Sequence, residues 1–170
     1  MMSNPSDSNH NQVSQNEVKY VPAGTGPAYC GPGVRMTFLI TGAQTGGAFF
    51  LGETQVAPGG GPTPHIHHRE EESFYLQQGT LAMNVGGKEL MASAGDFIHI
   101  PRGTVHSFKN VSDETAKLLT LVTPAGLEGF FAEAFYPAAD VADIPKVSED
   151  LIRRAMMAAP KYNLQLLPPA

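Results

Sequence analysis

An all-β fold of short antiparallel strands, followed by two helices, is predicted by three observations: the spacing of β-rich runs, the turn residues between them, and a late switch to helical periodicity. From Arg35 onward the runs RMTFLI, GAFFLGETQV, SFYLQQ, TLAMNV, DFIHI, HSFK and AKLLTLVT alternate with punctuation such as GAQTGG, APGGGPTP, NVGGKEL and NVSDET. Many short strands at that spacing read as an antiparallel sandwich or barrel. No helical period of useful length interrupts them, which argues against alternating βαβ units. The all-β region runs through about Thr123.

The elements on either side follow from composition and period. Residues 1–20 are rich in Asn, Ser and Gln and poor in apolar groups, so burial cannot offset their ordering entropy, and they read as a polar arm. After the strands, Leu127, Phe130, Phe131, Ala134 and Phe135 recur at helical spacing, opened by Pro124 and Gly126 and closed before Pro137. A second helix is expected with Ser148 as N-cap and with Glu149 and Asp150 in its first turn, where the helix dipole favours them. Leu151, Ile152, Ala155 and Met156 would face inward, and the helix would stop before Pro160. Both helices are expected on the outside of the barrel or across its edge. The leucine-rich segment YNLQLLPP needs cover from its own barrel or from a partner.

Composition bounds the function. A chain of 170 residues fits one domain. With 42% hydrophobic and 16% charged residues it has enough apolar material for a packed interior. The net charge of −5 and the lack of Lys/Arg runs give no footprint for a phosphate backbone, so no nucleic-acid partner is expected. There is no stretch of about 18 apolar residues to span a bilayer and no signal-peptide core, so no membrane partner is expected and a cytoplasmic location is the default. Cys30 is the single cysteine. An internal disulfide and a thiolate metal site within one chain are therefore excluded, and metal ligands must be nitrogen and oxygen.

Five of the six histidines lie between His65 and His106. In an extended segment His65 and His67 point to the same face, and both imidazoles reach one cation. Pro62 and Pro64 disfavour a helix there. Glu72 adds a hard oxygen, and His106 must approach through the fold. Within the triplet Glu70, Glu71 and Glu72, Glu72 is the preferred ligand. Glu71 would replace it if the strand carried a bulge, and Glu70 and Glu71 otherwise read as a solvated strand edge. Phe74 and Leu76 share the parity of Glu72 and should line the interior. His68 and His99 are candidates for supporting or pocket roles, while Pro101 and Gly103 read as the turn that delivers His106.

These residues resemble the cupin family. Gly61 to Gly79, GPTPHIHHREEESFYLQQG, is similar to the first cupin motif: His, one residue, His, a short spacer, Glu, six residues, Gly. Gly95 to Asn110, GDFIHIPRGTVHSFKN, is similar to the second, with Gly95, Pro101, Gly103, His106 and Asn110 in register. Gly61 stands one residue closer to His65 than in the commonest pattern. The resemblance implies a double-stranded β-helix, or jelly-roll barrel, over residues 21–125 with a helical extension over 126–170. It implies that His65, His67, Glu72 and His106 bind one divalent transition metal (Fe, Mn, Ni, Co, Cu or Zn). Such a set leaves one or two positions open for exchange.

The segments GPGVRMTFLITGAQTGGAFF, HIHHREEESFY and TPAGLEGFF are similar to single-domain bacterial cupins related to quercetin 2,3-dioxygenase. That resemblance implies a dioxygenase opening a flavonol-like or other enolisable phenol with O2, with Glu72 both a ligand and the base that takes the substrate hydroxyl proton. It also implies a homodimer. A metal-dependent isomerase or decarboxylase is the alternative. For phosphorylated or dianionic substrates it would need a basic side chain inside the barrel, for which Arg35 is the best candidate, with Arg69 and Arg102 at the rim. A non-catalytic small-molecule-binding protein requires no further residues.

Overall fold

The computed structural model describes residues 18–140 and 143–168. In chain order the elements are β1 (Ala28–Gly31), β2 (Val34–Ile40), a single-turn helix α1 (Gly42–Thr45), β3 (Phe50–Val56) and β4 (His65–His67). Next come β5 (Glu71–Gln78), β6 (Thr80–Val85), β7 (Lys88–Ser93), β8 (Phe97–Ile100), β9 (His106–Asn110) and β10 (Ala116–Thr123). The chain closes with α2 (Glu128–Ala134), β11 (Tyr136–Pro137), α3 (Glu149–Ala158) and β12 (Leu164–Leu166). The strands form two antiparallel sheets, one ordered β11-β1-β2-β3-β10-β5-β8 and the other β12-β4-β9-β6-β7. This is the all-β two-sheet barrel with short C-terminal helices that the sequence predicts.

Alternation is the cause of the sheet packing. Along β3 and β10 every second side chain is buried, which sends one face of each strand to the interior and the other to solvent. Phe74, Leu76, Leu81, Ile100, Phe108 and Leu118 from both sheets make one apolar cluster. A second forms where Met36, Phe38, Phe50 and Val122 meet Leu127, Phe130, Phe135 and Ala155.

Register settles which glutamate faces inward. β5 pairs continuously with β10 from Glu71↔Thr123 to Leu76↔Leu118, and the irregularity falls only beyond it, between Lys117 and Leu118. A bulge exists, but it lies past the site and leaves the parity of Glu72 untouched. Glu72, Phe74 and Leu76 are accordingly buried together.

Several expectations change. Glu70 is not a solvated edge residue: it is 1% exposed. The helices form where their stripes predict, and the Ser148 hydroxyl accepts the Leu151 N–H as an N-cap. Leu151 and Ala155 face inward, but Ile152 and Met156 are 45% and 63% exposed. Residues of both helices, Phe130 and Phe131 of α2 and Ile152 and Met156 of α3, line the open cavity of the barrel together with Leu127, where the aromatic stripe of α2 meets other apolar surface. The leucine-rich segment finds cover on its own barrel, where β12 pairs with β4 through Leu164↔His67 and Leu166↔His65. The expected polar arm falls almost wholly on residues 1–17, outside the described residues.

Candidate metal centre

Three imidazoles come from one sheet and the carboxylate from the other. His65 and His67 lie two apart on β4, both buried, with Ile66 between them facing the other way. His106 opens β9 directly opposite His65, and the two ring centroids are 4.1 Å apart. Glu72 projects from β5, where it pairs with Val122 and Ile100. The positioning of this cluster depends on the two sheets closing on each other, since neither alone holds all four groups.

His65, His67, Glu72 and His106 each offer one donor atom, and these atoms all lie within 4.8 Å of one another. Glu72 Oε2 is 3.0 Å from His106 Nε2 and 3.4 Å from His67 Nε2. All four residues are less than 9% exposed, so each polar atom needs a partner to offset its desolvation. His65 Nδ1 lies 2.8 Å from the Thr63 carbonyl and His106 Nδ1 lies 3.0 Å from the Thr104 carbonyl. A carbonyl only accepts, so both Nδ1 atoms carry the hydrogen and both rings turn Nε2 to the centre. Both ring nitrogens of His67 are buried without a hydrogen-bond partner among the described residues. An orphaned imidazole beside two fixed ones and a carboxylate is the donor chemistry of a nitrogen-and-oxygen metal site, and the residues fit one divalent first-row ion.

The electrostatics agree. Burial, then the neighbouring His106 and His67, push His65 down to about 3, so its ring is neutral in ordinary conditions. Burial raises the Glu72 carboxyl, but His67 and His106 outweigh it and hold the group below the usual carboxylate range. Burial lowers His106, and its hydrogen bond to Glu72 overrides this and raises it. The shift at Glu72 runs downward because two imidazoles stabilise the charged carboxylate, which weakens it as a base.

The cluster faces a cavity of about 590 Å3. Its walls are apolar, with Met36, Phe74, Phe108, Phe130, Phe131 and Phe135 among the residues that line it. Besides the donor set, its polar side chains include Thr54 and Thr120, whose hydroxyls hydrogen-bond to each other at 2.7 Å. No Lys or Arg lines it among the described residues. Arg35 pairs across β1 with Cys30, while Val34 and Met36, its neighbours of opposite parity, line the cavity; Arg35 therefore belongs to the other face. Arg69 is half-exposed and Arg102 is exposed. His68 bonds Gln165 at the surface and His99 bonds Ser73 on the outer face of β5, so neither joins the cluster.

Sequence reasoning missed Thr54, Thr120 and the pairing that places the β12 leucines beside the histidine strand. The threonines carry a signal, because each shares parity with buried apolar neighbours on its strand. The leucines signal a need for cover but not where they find it, since that depends on a pairing with a strand about 100 residues distant in sequence.

Residues 52–122 match the Cupin domain family. The chain is 34% identical over 94 residues to quercetin 2,3-dioxygenase of Bacillus subtilis, covering 54% of this chain and 28% of that protein. It is 28% identical over 117 residues to quercetin 2,3-dioxygenase of Aspergillus japonicus, covering 65% and 33%. It therefore spans about a third or less of the length of these relatives. Among solved structures, a polyketide cyclase from Streptomyces resistomycificus superposes with a TM-score of 0.56 at 26% identity, covering 63% of this chain and 80% of that one.

Proposed function

Because this chain is a member of the cupin superfamily, similar to the quercetin 2,3-dioxygenases, we propose that it is a metal-dependent dioxygenase that opens a flavonol-like or other enolisable phenol with O2. One observation carries the reading: a buried donor set of three histidines and one glutamate contributes His65, His67 and Glu72 to the wall of a large apolar cavity that no Lys or Arg lines among the described residues.

In this reading His65, His67, Glu72 and His106 hold one divalent transition metal, which when bound supplies Lewis acidity and exchangeable positions for oxygen ligands. The protein's own part is binding, orientation and proton handling. With the Nδ1 hydrogens of His65 and His106 committed to the Thr63 and Thr104 carbonyls, Nε2 is the atom each ring offers the centre. Phe74 and Phe108, packed edge to face at 5.5 Å, together with Phe130 and Phe131 give a flat aromatic substrate apolar surface and exclude water. The Thr54 and Thr120 hydroxyls supply neutral hydrogen bonds. Thr120 pairs with Phe74 and Val122 with Glu72, so Thr120 sits two residues, about 7 Å, along the strand from the Glu72 row. Glu72 accepts the substrate hydroxyl proton at Oε2. Its lowered pKa makes it a weak base, so the hydroxyl it serves must itself be acidified.

The same observation weighs against phosphorylated or dianionic substrates, which call for basic groups in the cavity. A second reading has specific support: the polyketide cyclase is similar in fold at 26% identity, and an apolar cavity equally suits an aromatic polyketide handled without oxygen. Elemental analysis of the purified protein, with O2 uptake on quercetin and a panel of phenolic enols, separates the two. Metal-dependent uptake is the expected result. Full metal occupancy with no uptake on any compound would discard the dioxygenase and leave cyclisation, isomerisation or binding.

A further inference from the structure

Glu70 lies between β4 and β5, outside the donor set, yet it is as deeply buried as His106. Its Oε2 has no hydrogen-bond partner among the described residues, while Oε1 lies 3.4 Å from Arg69 Nη1. A buried carboxylate oxygen without a partner is costly and calls for an explanation. His67 Nδ1, itself buried and unpartnered, lies 4.0 Å from Oε2.

The other two histidines show what this pair does. His65 and His106 each donate Nδ1–H to the carbonyl two residues earlier, at Thr63 and Thr104. His67 lacks such a bond. The acceptor beside its Nδ1 is a carboxylate. We infer that Glu70 is a positioning residue for His67: its carboxylate accepts the Nδ1 hydrogen and turns Nε2 to the donor set.

At 4.0 Å the hydrogen bond is completed by a small rotamer change or one bridging water. A carboxylate on the outer nitrogen fixes the tautomer of a ligating histidine and raises its basicity more than a neutral carbonyl does. Arg69 extends the chain outward. A Cβ placed on Gly126 would stand 2.2 Å from Arg69 Nη1, so the guanidinium lies against the residue before Leu127, which lines the cavity. The order Gly126, Arg69, Glu70, His67 joins the cavity wall to the donor set.

The inference rests on the metal-centre reading but not on the reaction, so its test uses metal alone. Stripped full-length protein, Glu70→Gln and Glu70→Ala are titrated with Co2+, following affinity and the visible d–d bands, with urea unfolding of the metal-free forms in parallel. The expected result is affinity weakened by about 10–100-fold, more in the alanine variant than in the glutamine variant, with shifted d–d bands. Metal-free stability should stay close to that of wild type, since Oε2 has no direct hydrogen-bond partner to lose. Wild-type protein that binds Co2+, with both variants matching its affinity within twofold and its spectrum, would overturn the role of Glu70 and spare the metal centre. Unchanged affinity with lost stability would overturn it equally, as a purely structural role. Wild-type protein that binds no Co2+ would overturn the metal reading itself and this inference with it.

Discussion

Acid should destabilise the metal-free protein through one residue, His65. Its folded pKa is about 3, lowered first by burial and then by His106 and His67, against about 6.5 in an unfolded chain. As pH falls below 6.5 the unfolded state takes up a proton that the folded state refuses, so stability is lost from there down to about 3. At pH 5 the loss is about 1.5 units at 1.36 kcal/mol per unit, or about 2 kcal/mol. His106 opposes it. Its pKa is raised in the folded state, so its contribution is present below 6.5 and lost as pH rises through the folded value. Glu72, held low, keeps its contribution across this window and loses it only in stronger acid. The experiment is therefore a difference: urea unfolding with chelator at pH 7.5 and pH 5.0, for wild type and His65→Asn. Wild type should lose about 2 kcal/mol more than the variant between the two pH values. Parallel losses would show that His65 is not the buried neutral base described above.

Other perturbations probe the frame and the chemistry. Leu81, 0% exposed on β6, should cost about 2–5 kcal/mol when changed to Ala, read as a fall in urea midpoint at constant slope. Asn110→Ala removes the Nδ2 donor to the Val56 and Glu114 carbonyls at 2.9 and 2.8 Å; the buried Val56 acceptor left bare costs about 1–3 kcal/mol, visible in the same assay. Gly61 has φ +142°, and a Cβ there would lie 2.0 Å from the Phe108 carbonyl. Gly61→Ala should cost about 3 kcal/mol or more and lower Tm by at least about 6–12 °C; an unchanged Tm would contradict the close approach. Glu72→Gln, compared at equal metal occupancy, should slow O2 uptake by about 100-fold or more if Oε2 takes the substrate proton. Unchanged turnover would leave Glu72 a ligand alone.

Much of this protein is legible because its signals are local. The runs that became β2, β3, β5, β6 and β10 alternate or carry apolar clusters bounded by turn residues. The stripe through Leu127, Phe130 and Phe131 marks α2, and the Ser148 cap marks α3. Strands without an apolar face stayed hidden. β7, KELMAS, buries only Ala92, so it looks like loop until β6 pairs with it. β1, β11 and β12 are two to four residues long, too short for periodicity to register.

The sequence by itself determined the fold class, the identity of the four candidate donors and the parity that turns Glu72, Phe74 and Leu76 inward, because each depends on residue types at fixed spacing along one strand or motif. Only the tertiary structure decided what those donors face. It brought β12 beside the histidine strand, folded α2 and α3 over the cavity, turned Arg35 to the other face of its strand and buried Glu70 next to His67. Those outcomes depend on pairings and packing between segments far apart in the chain, and the free energy that selects them is burial of apolar surface, which no local pattern specifies.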